Sequence, residues 1–527
     1  MTFTTIQFLL FLVVVFALYY VVPKKYQWVL LLIASYAFYA YSGLSNLIYI
    51  VVTTVSTYLI AKKIDALRNT QEAYLKEHKE TLSREEKKSY KQKAKSTLWK
   101  WLLVCLIFNF GILAVVKYTD FVIGNINSLF NTQLGFFGFV VPLGISYYTF
   151  MTMSYVIDVY RGKCTSQTNL FKFALFASFF PHLVQGPIGR YGEMSKTLYS
   201  EHTFDTNHIY KGLTRILWGY FKKMIVADRI LVACKTLFGD PTQYSGLFVL
   251  IGLIFYSVDI YADFTGGIDI TIGIAEMFGV ELTENFNHPY FSKDLAEFWR
   301  RWHITMGTWF KDYIFYPISV CKPMLKLSKW SRKTFGDKIG KRIPVYVATL
   351  VVWFLTGVWH GAAWHFIVWG LMNAVVILIS QEFDPFYKWF HSKVNVANKK
   401  WYQVFQMVRT FMLVSFLRVF DCYGDVPLSF HQLSTIFTHF NIAEVCNGAL
   451  LKLGLNLSDY IVLGICILLM WLVSYIERDE VTSIRDVLCQ KNVVIKFLVV
   501  YLLIFAIIIF GAYGVGFDAS SFIYNQF

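Results

Sequence analysis

Several common chemistries have no representative in this chain. It contains no GxSxG elbow, no His-x4-Asp acyltransferase motif, no HExxH and no Walker A loop, and residues 336–342 only imitate the last, with the wrong glycine spacing. ATP-driven transport and serine hydrolysis are disfavoured accordingly. The eight cysteines, at 105, 164, 234, 321, 422, 446, 466 and 489, are scattered without a CxxC pair. They outline neither a metal site nor a disulfide framework. No stretch reads as a soluble domain, a low-complexity tract or an internal repeat.

Charge is also scarce, at 16% of 527 residues, while hydrophobic residues reach 56% and fall in long segments with few charges. Each is near the roughly 20 residues needed to cross a bilayer, so the chain is an all-α polytopic membrane protein. Candidate crossings lie at 6–22, 26–41, 46–60, 99–116, 136–156, 345–358, 362–379, 405–416, 460–473 and 493–510. Aromatics, 19% of the chain, recur near segment ends, as at Tyr19-Tyr20, Trp28, Trp99 and Trp101, where amphipathic rings suit the headgroup level. The net charge of +15 sits in the loops, as expected of a protein that orients itself in a membrane. With no basic domain or stacking platform, nucleic acid is excluded as a partner.

The first apolar segment has no small-residue cleavage site and is followed at once by others, so it is expected to be a retained helix. Residues 62–100 are strongly charged and are expected to form a solvated helical pair on the cytoplasmic side. Counting back from them places Lys24-Lys25 in the cytoplasm and the N-terminus outside. Residues 120–135 lack Lys and Arg and are expected outside. Between 170 and 290 the apolar pieces are short and interrupted by Pro181, Gly186, Pro187, Gly189, Gly266 and Gly267, which suggests broken or re-entrant helices buried in protein. The chain then divides into N-terminal helices (1–61), the charged segment (62–100), a catalytic core (101–420) and C-terminal helices with an extracytoplasmic tail (421–527).

An ionisable side chain at membrane depth costs several kcal/mol unless it is paired or faces a wet cavity, so it marks a candidate site. His360 lies between two apolar segments, beside Gly357, Gly361, Ala362 and Ala363, which permit close backbone approach, with Trp359 and Trp364 to wall a pocket. A neutral imidazole there suits a general base toward a hydroxyl; a packed histidine at a helix junction is the competing reading. Residues 298–313 read as one helix with Trp299, His303 and Phe310 on one face and Arg300, Arg301, Lys311 and Asp312 on others. Its cations suit an anionic donor such as a pantetheine phosphate, or they merely snorkel to the interface. Asp263, a carboxylate in an apolar stretch, would by itself suit an ion-coupled transporter or flippase with structural histidines.

Four blocks in order carry more than any one residue: Phe180-Pro181 through Gly186-Pro187 to Arg190; Tyr261 to Asp269; Glu284-Asn285-Phe286 through Pro289-Tyr290 to Phe298-Trp299-Arg300-Arg301-Trp302-His303; and Gly357-Val358-Trp359-His360-Gly361. Together they closely resemble the membrane-bound O-acyltransferase family, and within it the bacterial branch concerned with alginate O-acetylation and teichoic-acid D-alanyl transfer. That resemblance implies a ring of tilted helices around a thinned centre, with a tunnel joining a cytosolic thioester donor to an acceptor outside. It implies that His360 matches the essential histidine and His303 the second histidine. Arg300, Arg301, Trp302, Trp359, Asp263, Asn285 and Gln185 become donor-binding or tunnel-lining candidates, with no metal and no tightly held cofactor.

The resemblance further implies a bacterial plasma-membrane enzyme. It would move an acyl group, foremost acetyl, from acetyl-CoA or an acyl carrier protein toward an extracytoplasmic polysaccharide, or toward a surface enzyme that finishes the transfer. D-alanyl transfer from a carrier protein to teichoic acid is the alternative. The final residues 522–527 resemble the tail of the alginate-type proteins, which makes Tyr524 a candidate acyl relay, with a terminal aromatic anchor as the competing reading. The chain departs from that type where Ile318 to Lys322 replaces a glycine pair, and in the length of its charged segment.

Overall fold

A computed structural model describes residues 2–478 and 482–513, and every regular element among them is helical. Among the described residues, eight helices are long and apolar enough to cross a membrane: Asn46–Glu77, Arg84–Phe130, Leu247–Met277, Ile343–His360, Trp364–Glu382, Lys400–Tyr423, Leu457–Glu477 and Val493–Phe510. The shorter apolar helix Ile6–Val21 accompanies these. The protein is a multi-pass, all-α membrane protein.

The described residues form two compact units, one of residues 2–209 with 274–283, the other of residues 210–273 with 284–478 and 482–513. In the first, Asn46–Glu77 and Arg84–Phe130 each continue without a break from an apolar half into the charged segment, so that segment is the extension of two membrane helices. Their connection is closed by a capping box, in which Ser83 accepts from the Glu86 amide while Glu86 accepts from the Ser83 amide. Tyr74 stacks on His78 and Tyr90 at 4.3 and 4.5 Å across the pair. The second of these helices also runs through residues 120–130, where an outside loop was expected, because only the left-handed Asn131 (φ 53°) ends it. The expected crossing at 136–156 starts late for the same reason, with residues 132–141 outside any helix and Ile145–Arg161 following.

The expectation of broken helices holds in the first unit, where Leu170–Ser178, Phe180–Val184 and Tyr191–Leu198 are short and separate, whereas Thr206–Tyr220 continues through a π-helical stretch, Phe221–Ala227, into Asp228–Gly239 without a break. It fails at Gly266 and Gly267, which lie inside the unbroken helix Leu247–Met277. Their neighbours explain why. A Cβ on Gly266 would stand 2.8 Å from the Gly219 carbonyl oxygen, and one on Gly219 would stand 2.5 Å from that of Gly266. One turn pair further on, a Cβ on Gly273 would meet the Gly212 carbonyl at 2.7 Å. Glycine serves here to let two helices touch backbone to backbone, the usual device where lipid offers no hydrophobic drive to hold them together.

The same helix pair is crossed by ion pairs. Arg215 bonds Asp269 at 2.9 Å and Glu284 at 2.6 Å, and Lys222 bonds Asp269 at 2.6 Å. A buried apolar cluster with Phe221, Ile225, Val226 and Ile230 at its centre fills in behind it, closed by Leu463, Cys466 and Met470 of the helix Leu457–Glu477. Gly219→Val should therefore lower the thermal unfolding temperature of the purified protein in detergent, through about 1–3 kcal/mol of overpacking. An unchanged unfolding temperature would show that the two backbones have room to separate.

Candidate functional site

His303 stands at a break, and residues 298–313 are two helices, not the one expected. Leu295–Arg301 is capped by Asp294, which accepts from the Glu297 amide at 2.7 Å. Trp302 is extended, His303 is left-handed (φ 47°, ψ 54°), and Ile304–Phe310 begins after it. The cause lies upstream. The Asn287 amide donates to the Arg301 carbonyl and the Ile304 amide donates to the Asn285 carbonyl, both at 2.9 Å, so residues 285–287 take up groups that a continuous helix would have used internally. A left-handed non-glycine residue costs about 1–3 kcal/mol and persists only where its surroundings enforce it.

The His303 ring is 1% exposed. Nδ1 lies 3.1 Å from Asn285 Oδ1, the edge of Phe264 meets the ring at 5.0 Å, and Trp359 lies 5.9 Å away.

His360 is the last residue of Ile343–His360. The chain reverses over residues 361–363 and returns as Trp364–Glu382. Close approach makes this possible, as the cluster of small residues suggested. A Cβ on Gly357 would lie 2.5 Å from the Phe366 carbonyl oxygen, one on Gly361 2.2 Å from the Phe366 ring, and one on Gly370 2.4 Å from the Trp353 carbonyl oxygen. The imidazole is held among Trp369 at 4.6 Å, Trp359 at 4.9 Å and Phe366 at 6.2 Å.

Both histidines line one narrow cavity of about 20 Å³, enough for about one water molecule. Trp299 and Trp302 are part of its wall, and Trp359 bridges the two imidazoles. Asp263 also faces it, but as one arm of an ion cluster: Lys223 Nζ lies 2.6 Å from Asp263 and 2.8 Å from Asp228, all three almost fully buried. Arg418 and Asp421, 3.1 Å apart and buried, complete the polar wall, and the Arg418 guanidinium lies over Trp302 at 5.3 Å.

A second cavity of about 720 Å³ adjoins the first, lined by Arg215, Lys222, Asp269, Asn287 and Arg485 and, on its apolar side, Leu502 and Leu503. Phe264 and His303 line the small cavity while their chain neighbours Thr265 and Ile304 line the large one. Phe286, which lines the large cavity, meets Trp302, which lines the small one, at 5.1 Å.

The remaining expected site residues fall elsewhere. Arg300 is exposed, and Arg301 pairs with Glu297 at 2.7 Å; neither lines either cavity. Asn285 does not line the small cavity and acts on it through His303. Gln185 is buried in the first unit, beyond the short helix Phe180–Val184. Tyr524 lies outside the described residues. Lys223, Arg418 and Asp421 were missed, although a lysine or arginine inside apolar sequence is itself a signal.

This arrangement belongs to a known lineage. The model of the membrane-bound O-acyltransferase family matches residues 164–335, which include His303. A probable alginate O-acetylase AlgI of Azotobacter vinelandii is 33% identical over 390 residues, 72% of this chain and 69% of the relative. The chain belongs to the membrane-bound O-acyltransferase family. Other relatives in the family are a peptidoglycan O-acetyltransferase of Helicobacter pylori, 29% identical over 387 residues (68% of this chain, 66% of the relative), and a teichoic acid D-alanyltransferase of Bacillus subtilis, 30% identical over 296 residues (55% and 70%). The protein is thus a multi-pass acyltransferase of a bacterial membrane, and Asp263, the carboxylate that suited a transporter, is paired with Lys223.

Lys223→Met would leave Asp228 and Asp263 buried without their lysine. Removing one partner of a buried ion pair typically costs about 3–5 kcal/mol. Calorimetry or a dye-based melt of the variant should register that loss, and a melt superimposable on wild type would show the cluster to be energetically idle.

Proposed function

We infer that the protein transfers an acetyl group from a cytosolic thioester, acetyl-CoA, to a hydroxyl destined for an extracytoplasmic polysaccharide, with a separate surface enzyme completing delivery. The observation that carries this reading is the meeting of His303 and His360 in one water-poor, aromatic-walled cavity within a chain of this acyltransferase family. In such a site His360 acts as general base: it takes the proton of the attacking hydroxyl as the oxygen adds to the thioester carbonyl. Collapse expels the thiolate, which takes that proton back from the His360 imidazolium as it leaves. Exclusion of water favours transfer over hydrolysis. The 720 Å³ cavity is in the size range of small-molecule sites, and its wall carries Arg478 and Arg485 beside Arg215 and Lys222, which Asp269 and Glu284 already pair.

Relatives named alginate O-acetylase and peptidoglycan O-acetyltransferase support acetyl as the acyl group and a wall or capsule polysaccharide as its destination. The teichoic acid D-alanyltransferase relative supports a second reading, in which a carrier protein presents D-alanine instead. Tyr524 remains proposed as a relay, its phenol holding the acyl group as an ester between donor and final acceptor.

Reconstitution into vesicles with acetyl-CoA or a D-alanyl carrier on one side, scored by ester formed and thiol released, separates the two donors. His360→Ala should reduce transfer roughly 10²-fold or more, the scale of a lost general base, while donor binding persists. Transfer at wild-type rate in that variant would remove His360 from the chemistry. An ester on the C-terminal peptide that Tyr524→Phe abolishes would establish the relay, and full activity of Tyr524→Phe would eliminate it.

A further inference from the structure

The hydrogen bonds around Asn285 fix more than the position of His303. Asn285 is fully buried, and a single terminus of its side chain meets three groups: the Thr305 amide at 3.1 Å, the Thr305 hydroxyl at 2.8 Å and His303 Nδ1 at 3.1 Å. A backbone amide can only donate, so the terminus it meets is the oxygen. An oxygen of a primary amide can only accept, so Nδ1 of His303 carries a proton and donates it. In the neutral imidazole the other nitrogen, Nε2, then bears the lone pair. The left-handed backbone at His303 and the amide bond from Ile304 to the Asn285 carbonyl hold the ring in this register.

We propose that Asn285 and Thr305 are positioning residues that lock His303, which shares a cavity with His360, in its Nδ1-protonated tautomer and so place the imidazole lone pair on Nε2. Neither residue touches that cavity. They act through His303. A hydroxyl or thiol that reaches Nε2 thus finds an acceptor there, whereas the opposite tautomer would present a donor and misdirect it. The consequence for catalysis rests on the acyltransferase reading above; the tautomer itself does not.

The experiment uses the full-length protein, labelled with ¹⁵N-histidine and reconstituted in lipid bilayers. The His303 resonances, identified by their loss in His303→Gln, should report the Nδ1-protonated tautomer, and an Nε2-protonated signal overturns the proposal. Asn285→Leu should release the lock, giving a mixed or reversed tautomer and a fall in acyl transfer of about 10- to 100-fold, the usual cost of losing such an orienting partner, with donor KM unchanged. Asn285→Asp keeps an acceptor oxygen at the same place and adds a negative charge, which favours the imidazolium and raises the His303 pKa. The acid limb of the pH–rate profile should then move to higher pH, and it does not move if Asn285 merely supports the fold. Thr305→Ser should behave as wild type and Thr305→Val should weaken the lock. Absence of transfer from either donor in the wild type would defeat the functional reading and leave the spectrum to judge the tautomer.

Discussion

Backbone that leaves the helical path at membrane depth must find hydrogen-bond partners within the protein, because hydrocarbon supplies none. The site is organised around two such departures. At residues 302–303 the loose amides and carbonyls are met by residues 285–287, which cross just there. At residues 361–363 the helix end is short and the Gly361 amide reaches back to the Gly357 carbonyl at 3.4 Å. Side chains at a helix break project along directions unavailable on a continuous helix. That is how two histidines 57 positions apart in sequence come to face one cavity.

Tight packing makes those breaks tolerable. One face of Leu247–Met277 carries Asp259, Asp263, Gly266 and Gly273 at helical spacings, so the carboxylates and the glycines lie along a common stripe. The glycines bring Thr206–Tyr220 against it, and the cations Lys222 and Lys223, offset by the π-helical turn, bond to Asp269 and Asp263. Close approach and charge pairing therefore reinforce each other. Neither would be stable at this depth with the other removed, since separated helices would leave the ions unpaired.

Much of this was legible in the residues themselves, for a stated reason. A histidine in apolar sequence is conspicuous, and His303 and His360 stand out at once; the small residues around His360 likewise act as read, through Gly357 and Gly361. The break at His303 was not legible, because its cause is Asn285, eighteen positions away, and nothing within residues 298–303 forbids a helix. Gly266 and Gly267 misled in the opposite sense. Glycine marks either a bend or a close contact, and only the partner helix decides which. The roles of Arg300 and Arg301 depended on neighbours too, and Glu297 one turn back already meets the charge of Arg301.

The paired helices 46–77 and 84–130 have a practical consequence. From residue 62 the first runs about 24 Å beyond its apolar half, at 1.5 Å per residue, and its partner returns alongside in continuous helical register. Nothing flexible intervenes between this stalk and the bilayer-embedded half of the same two helices. A rigid protein inserted at the turn near residues 78–83 would inherit their direction. It would serve as a fiducial for aligning single-particle images of a molecule otherwise hidden in its detergent belt, with the membrane helices reporting their own tilt through it.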